Sequence, residues 1–298
     1  MKIRPNIRER ENLWQILELA RREDLGSGDV TSLILPVDLH ATGRFVARQP
    51  MVFCGGEMLE PIAVKYDGAI RTAVLAEEGA RVDKGEVLAE WGGPARGILS
   101  AERVALNFLQ RLSGVATTTR EYVDAVAGTG AAIYDTRKTT PGWRELEKYA
   151  VRVGGGLNHR KGLYDAVLVK DNHLSIMALA EGENPLTATA HELERIRPYL
   201  PAGAFVELEV ENLEQFAHAL ELSIDIILLD NMSVEQIAEG VRVRDRAGAK
   251  GRIELEASGG VTLENVRAVA ETGVERISIG ALTHSAGAVD ISLDLQVD

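Results

Sequence analysis

Cysteine is almost missing from this chain of 298 residues, and its one cysteine, Cys54, follows the apolar pair Val52 and Phe53. One thiol cannot build an internal disulfide framework or a thiolate cluster for a metal ion, and a chain that needs neither fits a reducing compartment. Because free cysteine is among the most often buried residue types, we predict that Cys54 is a buried structural thiol rather than a nucleophile.

Positive charge is also scarce. Lysine and arginine total 33 against 45 aspartate and glutamate residues, which gives a formal net charge of −12. Such a chain has no general attraction for nucleic acid or for an anionic membrane, so we expect neither as a partner. A polyanionic ligand would have to be bound by a local basic pocket.

Long apolar runs are missing as well. No stretch approaches the roughly eighteen apolar residues of a membrane span, and the N-terminal stretch MKIRPNIRERENLW contains no apolar core of a secretory signal. We therefore expect a cytoplasmic protein. The chain is 45% hydrophobic and 26% charged, which is ordinary for a soluble protein with one large or two modest domains.

The first part of the chain predicts a small mixed domain followed by a long helix. Leu13, Ile16 and Leu17 have helical spacing and predict an amphipathic helix near the start. Short apolar runs between residues 41 and 91, separated by Gly, Asp and Lys, predict a small α/β or α+β domain. We expect a long helix to begin just after Ser100 and to bridge the two halves of the chain.

After residue 130, short apolar runs alternate with segments of helical period. Six runs are rich in Val or Ile: AAIYD, DAVLVK, AFVELEV, SIDIILLD, RIELEAS and RISIG. Such alternation predicts parallel strands, which form either a doubly wound sheet or a barrel. Nearly every run ends on a polar, charged or small residue, and functional side chains at the carboxyl ends of many strands are typical of a barrel. We therefore predict an α/β fold with an open or incomplete α/β barrel of the TIM type.

Basic residues gather where these predicted strands end. The cluster comprises Arg137, Lys138, His159, Arg160 and Lys170, with Arg103 near the start of the long helix. Lysine and arginine are usually solvated surface charges, but like charges held together repel and persist mainly where an anion neutralises them. Arginine presents a planar fork to carboxylate or phosphate, and lysine a point charge. The cluster predicts a ligand with several carboxylates or phosphates.

Two acidic residues, Glu209 and Asp230, lie at equivalent positions near the ends of neighbouring predicted strands. They could be salt-bridge partners of the basic residues. They could instead bind Mg²⁺ or sugar hydroxyls, or stabilise developing positive charge, because Mg²⁺ typically takes one or two protein carboxylates and completes its shell with phosphate and water. A magnesium diphosphate substrate would use both the acidic and the basic residues.

Glycine follows the last two predicted strands, in ASGG at 257–260 and in IGALTHSAG at 279–287. Backbone N–H groups at glycine can approach an anion without interference from Cβ. Loops after the last two strands of an α/β barrel frequently form a phosphate site. Glycine in tight turns is the alternative, but the pairing of two such loops on successive strands favours a phosphate site.

Seven motifs carry a resemblance to a known family. They are TRKTTPG (136–142), GGGLNHRKGL (154–163), LVKDNH (168–173), ELEVEN (207–212), LLDNM (228–232), EASGG (256–260) and ISIGALTHS (277–285). Together they resemble the quinolinate phosphoribosyltransferases, the carboxylating nicotinate-nucleotide pyrophosphorylases, in the family's order and over almost the whole chain. The first three motifs are far more specific than any glycine pattern.

The resemblance implies a reaction and an architecture. Quinolinate and phosphoribosyl pyrophosphate would give nicotinate mononucleotide, pyrophosphate and CO₂, in de novo NAD synthesis with Mg²⁺ as cofactor. The implied domains are an N-terminal α/β sandwich with the bridging helix at 1–114, a catalytic barrel at 115–283, and a C-terminal tail at 284–298 that packs on the N-terminal domain. The family also implies a homodimer, which could assemble further, with each active site completed by the neighbouring subunit.

The resemblance further implies roles for single residues. The implied substrate-binding set is Arg103, Thr136, Arg137, Lys138, His159, Arg160, Lys170, Glu209, Asp230, Ser258, Gly259, Gly260, Ile279, Gly280 and Ala281. Within it, Arg137, His159, Arg160 and Lys170 would bind quinolinate, Arg103 would come from the other subunit, and the residues at 258–260 and 279–281 would hold the 5′-phosphate. Lys138, Glu209 and Asp230 are the implied catalytic residues, and the two acids would bind Mg²⁺ directly or indirectly.

Three alternatives stay open at this point, and one of them is a non-catalytic anion sensor, which only a measurement of turnover separates from an enzyme. A phosphoribosyltransferase-like paralogue of the same fold would act on another aromatic acid, although the intact dicarboxylate cluster argues against it. A Schiff-base lyase would use Lys170 as a covalent catalyst, because lysine at a barrel strand end can form imines. The departures from the family pattern are Trp143 after TTPG and a longer segment at 178–190.

Overall fold

The chain divides into two compact units. The computed structural model describes residues 3–181 and 185–297. Unit 1 comprises Met1–Arg120, Lys138–Gly156 and Ala281–Asp298, and unit 2 comprises Glu121–Arg137 and Leu157–Gly280. Unit 1 is thus built from three separate pieces of the chain.

The described residues of unit 1 form six strands, four complete helices and most of a long fifth helix. The helices are α1 Ile7–Leu25, α2 Gly56–Tyr66, α3 Ala95–Ala125, α4 Arg144–Val153 and the short α10 Ala281–His284, with a 3₁₀ turn at Ser32–Ile34. The strands are β1 His40–Ala47, β2 Met51–Val52, β3 Arg71–Val74, β4 Arg81–Val82, β5 Val87–Pro94 and β12 Ile291–Val297.

The main sheet of unit 1 is antiparallel, in the order β12-β1-β5-β3. Phe45 of β1 and Trp91 of β5 are fully buried and meet edge to face at 4.9 Å between ring centroids. Across the β1–β12 pair, Arg48 forms a salt bridge with Asp294. The C-terminal strand is therefore part of the same sheet as the N-terminal strands.

Two helix predictions had different outcomes. The amphipathic helix is confirmed as α1, whose start is fixed by a capping box between Asn6 and Glu9. The prediction that the long helix begins after Ser100 is wrong, because α3 begins at Ala95. Ile98 and Ala101 are both fully buried, so the buried face of α3 extends back past Ser100, whose hydroxyl donates to Asp29 instead of capping the helix.

Unit 2 is built on six parallel strands, as the six apolar runs predicted. The strands are β6 Ala132–Tyr134, β7 Val167–Val169, β8 Val206–Val210, β9 Ile226–Asp230, β10 Glu254–Ser258 and β11 Arg276–Ser278. The helices are α5 Asp171–Glu181, α6 Pro185–Ile196, α7 Leu213–Ala219, α8 Val234–Arg246 and α9 Val266–Glu271, with a 3₁₀ turn at Arg197–Tyr199.

The strand order of unit 2 is β6-β11-β10-β9-β8-β7. The first strand pairs with the last, as in a barrel, and the sheet is open between β6 and β7, where the segment after Gly156 makes one parallel bridge from Leu157 to Tyr134. The α/β fold with an open barrel is thereby confirmed. All five residues of β8 are buried, as is typical of a parallel strand covered on both faces.

Two further expectations can be compared with the described residues. Cys54 is fully buried, as predicted, and burial raises the pKa of its thiol. None of the described helices combines the length and the apolar character needed to span a lipid bilayer. The segment at 178–190 contributes to α5 and α6, and its residues 182–184 lie outside the described part of the chain.

Candidate active site

Two arginines of the predicted basic cluster interact in unit 2. Arg137 follows β6, and Arg160 follows the glycine-rich turn, with its guanidinium 3.4 Å from the carbonyl of Ala166. Partial burial, and then the positive charge of Arg137, lower the pKa of Arg160. An anion bound by both residues would offset the unfavourable effect of one positive charge on the other.

The buried carboxylate of Asp135 fixes the loop that carries Arg160. Asp135 follows β6 and is fully buried. Its Oδ1 accepts a hydrogen bond from the backbone N–H of His159 at 2.8 Å, and its Oδ2 accepts one from Asn158 Nδ2 at 2.6 Å. The Asn-His-Arg part of the motif is thus held at the end of β6 by a charge-assisted pair of bonds.

The imidazole of His159 is turned toward buried acids. Its side chain is 7% exposed, and Nδ1 accepts a hydrogen bond from the N–H of Arg160 at 2.8 Å. A neutral imidazole that accepts at Nδ1 carries its proton on Nε2. Nε2 lies 2.9 Å from Glu207 Oε2 and 3.4 Å from Glu256 Oε1. His159 therefore supports Arg160 through one nitrogen and directs its N–H at two carboxylates through the other.

Glu207, Glu256 and Arg276 form a buried charge network next to His159. Arg276 Nε donates to Glu256 Oε2 at 2.7 Å, and its guanidinium stacks 3.8 Å from the ring centre of Tyr134. Neither oxygen of Glu207 accepts a hydrogen bond from the described residues, so the 2.9 Å approach of its Oε2 to His159 Nε2 lacks the alignment of a hydrogen bond. Burial raises the pKa of Glu207 to about 7, and burial followed by the nearby Glu207 charge raises the pKa of Glu256.

The ring of His159 and the two buried glutamates have the residue types of a metal site. Their ligand atoms lie within 4.8 Å of one another. However, Nδ1 of His159 accepts a hydrogen bond from the N–H of Arg160, and Oε2 of Glu256 accepts one from Arg276. A neutral imidazole that accepts at Nδ1 has its proton on Nε2, so a metal ion would have to displace that proton to bind there. The contacts present in the structure are those of a charge network.

Lys170 and the two predicted acidic residues lie at the carboxyl ends of β7, β8 and β9. Lys170 follows β7, and its Nζ forms a short ion pair with Glu209 Oε2. Asp230, the last residue of β9, accepts a hydrogen bond at Oδ2 from Asn231 at 2.7 Å. Hard carboxylate oxygens at neighbouring strand ends fit the donor set of Mg²⁺, which takes one or two protein carboxylates beside phosphate and water. Glu209 and Asp230 are thus the residues of unit 2 that would hold it.

The loop after β10 lines a cavity of about 400 Å³. Ser258 ends β10 and is paired in register with Asp230, while Gly259 and Gly260 follow with φ values of 86° and 63°. On the next strand, the N–H of Ile279 donates to the carbonyl of Tyr134 at 2.9 Å. The loop at 258–260 therefore turns at the end of the sheet, whereas the backbone N–H of Ile279 is used in a hydrogen bond to the neighbouring strand.

Three residues of the predicted site belong to unit 1, and Thr136 and Gly280 lie at the edges of unit 2. Arg103 is exposed on α3, Lys138 is exposed and its carbonyl accepts a hydrogen bond from Thr283 at 2.8 Å, and Ala281 begins α10.

Four residues that contact the predicted site residues, directly or through Glu256, were not indicated by the motifs. Glu207, Glu256, Arg276 and Asn231 lie inside or beside the recognised motifs, and none was among the predicted site residues. For Glu207 and Glu256 a signal existed, because a glutamate within an otherwise apolar parallel strand is rarely buried without a specific role.

Comparisons with known proteins place the chain in one family. Residues 115–294 match the model of the quinolinate phosphoribosyl transferase C-terminal domain, and residues 29–113 match that of the N-terminal domain. The nicotinate-nucleotide pyrophosphorylase [carboxylating] of Mycobacterium leprae is 43% identical over 93% of this chain and 94% of its own length. A probable enzyme of the same name from Bacillus subtilis is 39% identical over 92% of this chain and 90% of its own length.

A solved structure agrees with these sequence matches. The nicotinate-nucleotide pyrophosphorylase of Francisella tularensis superposes with a TM-score of 0.87 at 34% identity, and the match covers 99% of each chain. Both domains, almost the full length and the strand-end motifs therefore agree, and the chain belongs to the quinolinate phosphoribosyl transferase family.

Proposed function

We propose that the protein is a quinolinate phosphoribosyltransferase, which converts quinolinate and phosphoribosyl pyrophosphate to nicotinate mononucleotide, pyrophosphate and CO₂ in NAD biosynthesis. Its family membership supports this function, and so do the names of the bacterial relatives. The observation that carries the proposal is that Asp135 holds the loop of Arg160 at the end of β6, which Arg137 also follows, in a chain with a net charge of −12. Two adjacent carboxylates on one ring are the kind of anion that two arginines can bind together.

Binding would be performed by the cations of unit 2. Arg137 and Arg160 supply planar forks to the carboxylates of quinolinate, and Lys170 supplies a point charge. His159 supports binding indirectly, because its Nδ1 fixes the backbone of Arg160 and its Nε2 faces the buried acids. This arrangement sets the orientation of the ring so that its nitrogen can face C1 of the ribose.

Glycosyl transfer would follow from the placement of charge. The ring nitrogen forms a bond to C1 while the bond from C1 to the pyrophosphate oxygen breaks, and the carboxylates of Glu209 and Asp230 stabilise the positive charge that develops on the ribose. Arg103 and Lys138 are proposed to stabilise the departing pyrophosphate. Bound Mg²⁺ would neutralise part of the pyrophosphate charge.

Decarboxylation would need no further cofactor. Once alkylated, the ring nitrogen is positive and accepts the electron pair released when the adjacent carboxylate leaves as CO₂. A proton then takes the place of that carboxylate on the ring carbon. The second carboxylate remains in the product, where Arg137 or Arg160 can still bind it.

The assembly and setting of the enzyme are part of the proposal. We propose a cytoplasmic homodimer in which Arg103 of one subunit serves the site of the other, and assembly into larger oligomers is compatible with it. The single buried cysteine supports a reducing compartment.

The test of the proposed function is turnover. Purified protein is mixed with quinolinate, phosphoribosyl pyrophosphate and Mg²⁺, CO₂ and nicotinate mononucleotide are measured, and nicotinic acid serves as a parallel substrate. We expect turnover of quinolinate and none of nicotinic acid. Absence of turnover with quinolinate by protein shown to be folded would contradict the proposal.

A lyase that uses Lys170 as an imine-forming residue is the rival from a different class. The ion pair between Lys170 and Glu209 favours anion binding, because imine formation needs a free amine. Borohydride treatment with a carbonyl substrate separates the two functions, since irreversible inactivation at Lys170 is expected only from the lyase.

A further inference from the structure

The turn between β9 and α8 contains a residue with unusual backbone geometry. Asn231 has a φ of 52°, and among residues 3–181 and 185–297 it is the one non-glycine residue with a positive φ. Left-handed backbone is unfavourable for residues with a Cβ, and Asn tolerates it best. Such geometry concentrates at functional sites, where surrounding contacts hold it in place.

Three contacts hold Asn231 between two strand ends. Its N–H donates to the carbonyl of Ser258 at 2.9 Å, which extends the pairing of β9 with β10 by one residue. Its side-chain Nδ2 donates to Asp230 Oδ2 at 2.7 Å. Its Oδ1 lies against Gly259, where an added Cβ would be 2.2 Å away. One side chain therefore touches both a proposed catalytic carboxylate and the proposed phosphate loop.

We infer that Asn231 is a positioning residue that orients the carboxylate of Asp230 and sets the distance between Asp230 and the loop at 258–260. This inference rests on the proposed function, in which Asp230 stabilises charge on the ribose, and on the family resemblance, which implies that the loop holds the 5′-phosphate. The left-handed backbone is required because it brings the N–H to Ser258 and the amide to Asp230 from the same residue. The absence of a side chain at Gly259 is required because a Cβ there would displace the amide oxygen.

The inference separates two effects that a single alanine substitution would mix. Asn231→Gly keeps the left-handed backbone, which glycine adopts without strain, and removes the amide. Asn231→Asp keeps the shape of the side chain and its tolerance of this backbone, but replaces the donor with a second carboxylate beside Asp230. A role in folding alone would lower the unfolding midpoint and affect the kinetics with both substrates equally.

The experiment compares steady-state kinetics of the full-length enzyme and these variants with both substrates. For Asn231→Gly we expect kcat/KM for phosphoribosyl pyrophosphate to fall by roughly tenfold or more, the effect of losing a hydrogen bond to a charged group. For Asn231→Asp we expect a larger fall in the same kcat/KM, because the new carboxylate repels Asp230 in addition to the loss of the hydrogen bond. KM for quinolinate should stay within about twofold for both, since Arg137, Arg160 and Lys170 are unchanged.

A matched control removes an exposed Asn side chain from unit 1. Asn6→Gly deletes an amide that accepts one hydrogen bond from the N–H of Glu9, at a helix N-cap where glycine costs only a few tenths of a kcal/mol in general. We expect wild-type kinetics from it. Thermal unfolding should place every variant within about 3 °C of the wild type.

The outcomes are distinguishable. If the wild-type enzyme fails to turn over quinolinate, the proposed function is wrong. If it turns over and Asn231→Gly retains wild-type kcat/KM for phosphoribosyl pyrophosphate, the inference alone is wrong. A third outcome is that kcat/KM falls equally for both substrates and the unfolding midpoint falls by roughly 10 °C or more. That outcome would assign Asn231 a structural role and would also overturn the inference.

Discussion

At Glu207 a fully buried carboxylate lies 2.9 Å from an imidazole nitrogen and accepts no hydrogen bond from the described residues. Burial raises its pKa from 4.5 to about 7. Between those pH values the native state holds a proton that the unfolded chain has released. The free energy of unfolding therefore falls as pH rises through this window. Above pH 7 the native state bears the full cost of a buried, ionised Glu207.

Glu207→Gln should consequently stabilise the protein at alkaline pH. A neutral amide avoids the cost of a buried charge, so we expect a free energy of unfolding larger by on the order of 1–3 kcal/mol at pH 8 and nearly unchanged at pH 4.5. Urea unfolding at the two pH values measures it. The control is Glu254→Gln, because Glu254 is exposed and lies 3.4 Å from Arg276, which belongs to the buried network of Glu207. We expect it to change the free energy of unfolding by less than about 0.5 kcal/mol. A gain that is the same at both pH values would contradict the assignment.

Arg160 tests the chemistry of the ligand at the same scale. Arg160→Ala removes one of the two proposed carboxylate forks, so the dissociation constant for quinolinate should rise by roughly tenfold to a hundredfold. Arg160→Lys should recover only part of the affinity, because a point charge cannot bind a carboxylate bidentately. Titration calorimetry measures both. The control is Arg246→Ala, because the exposed side chain of Arg246 pairs with Glu239 on α8, and we expect it to leave quinolinate binding unchanged. Unchanged binding by Arg160→Ala would refute the proposed role of Arg160.

At the scale of elements, Gly114 lies in the interior of α3, where glycine is disfavoured by about 1 kcal/mol relative to alanine. A Cβ at this position would lie 2.0 Å from the carbonyl oxygen of Gly287. The C-terminal segment thus passes directly over the helix, and Val289 donates its N–H to Gln110 on the same helix. Steric exclusion explains the glycine, because the gain in helix propensity is smaller than the cost of moving a backbone segment.

Gly114→Ala should therefore destabilise the protein despite its better helix propensity. Overpacking of this kind costs about 1–3 kcal/mol, which exceeds the propensity gain of about 1 kcal/mol. The exposed Gly68, with ordinary backbone and no atom within 4 Å of an added Cβ, supplies the control Gly68→Ala, expected to be neutral or slightly stabilising. Urea unfolding at neutral pH distinguishes them, and a stabilised Gly114→Ala variant would show that the segment moves away at little cost.

The elements also show which parts of the fold are readable from the sequence. All six apolar runs after residue 130 are strands, because a buried parallel strand leaves a local signature of Val and Ile bounded by turns. The predicted start of α3 was too late. Ala95 directly follows the β5 strand, and only the burial of Ala95 and Ile98 shows that this first turn belongs to the helix.

The site divides in the same way. Lys170 and Glu209 lie in compact motifs at strand ends and Arg160 lies in a compact glycine-rich motif, so all three could be selected from local pattern. The network of Glu207 and Glu256 could not, because these residues come from β8 and β10, which β9 separates, and the imidazole between them comes from a distant loop. The left-handed backbone of Asn231 likewise depends on Ser258 and Gly259, which follow it by more than twenty-five residues.

At the scale of the whole molecule, the proposed dimer assigns the groups of one active site to two chains. Lys170 and the other cations of unit 2 would act within their own subunit, whereas Arg103 would act in the neighbour. Arg103 is exposed on α3, which is compatible with such a role. Closed twofold symmetry would make the exchange reciprocal, so that each subunit gives one arginine and receives one.

Mixing two inactive variants tests this arrangement directly. Arg103→Ala and Lys170→Ala should each be inactive alone, because every site of either homodimer lacks one group. In a heterodimer, one site lacks both groups and the other lacks neither. After random exchange of equal amounts, half of the dimers are heterodimers with one intact site each, so activity should return to about a quarter of the wild-type value. Native mass spectrometry confirms the exchange, and heterodimers without recovered activity would show that Arg103 acts within its own subunit.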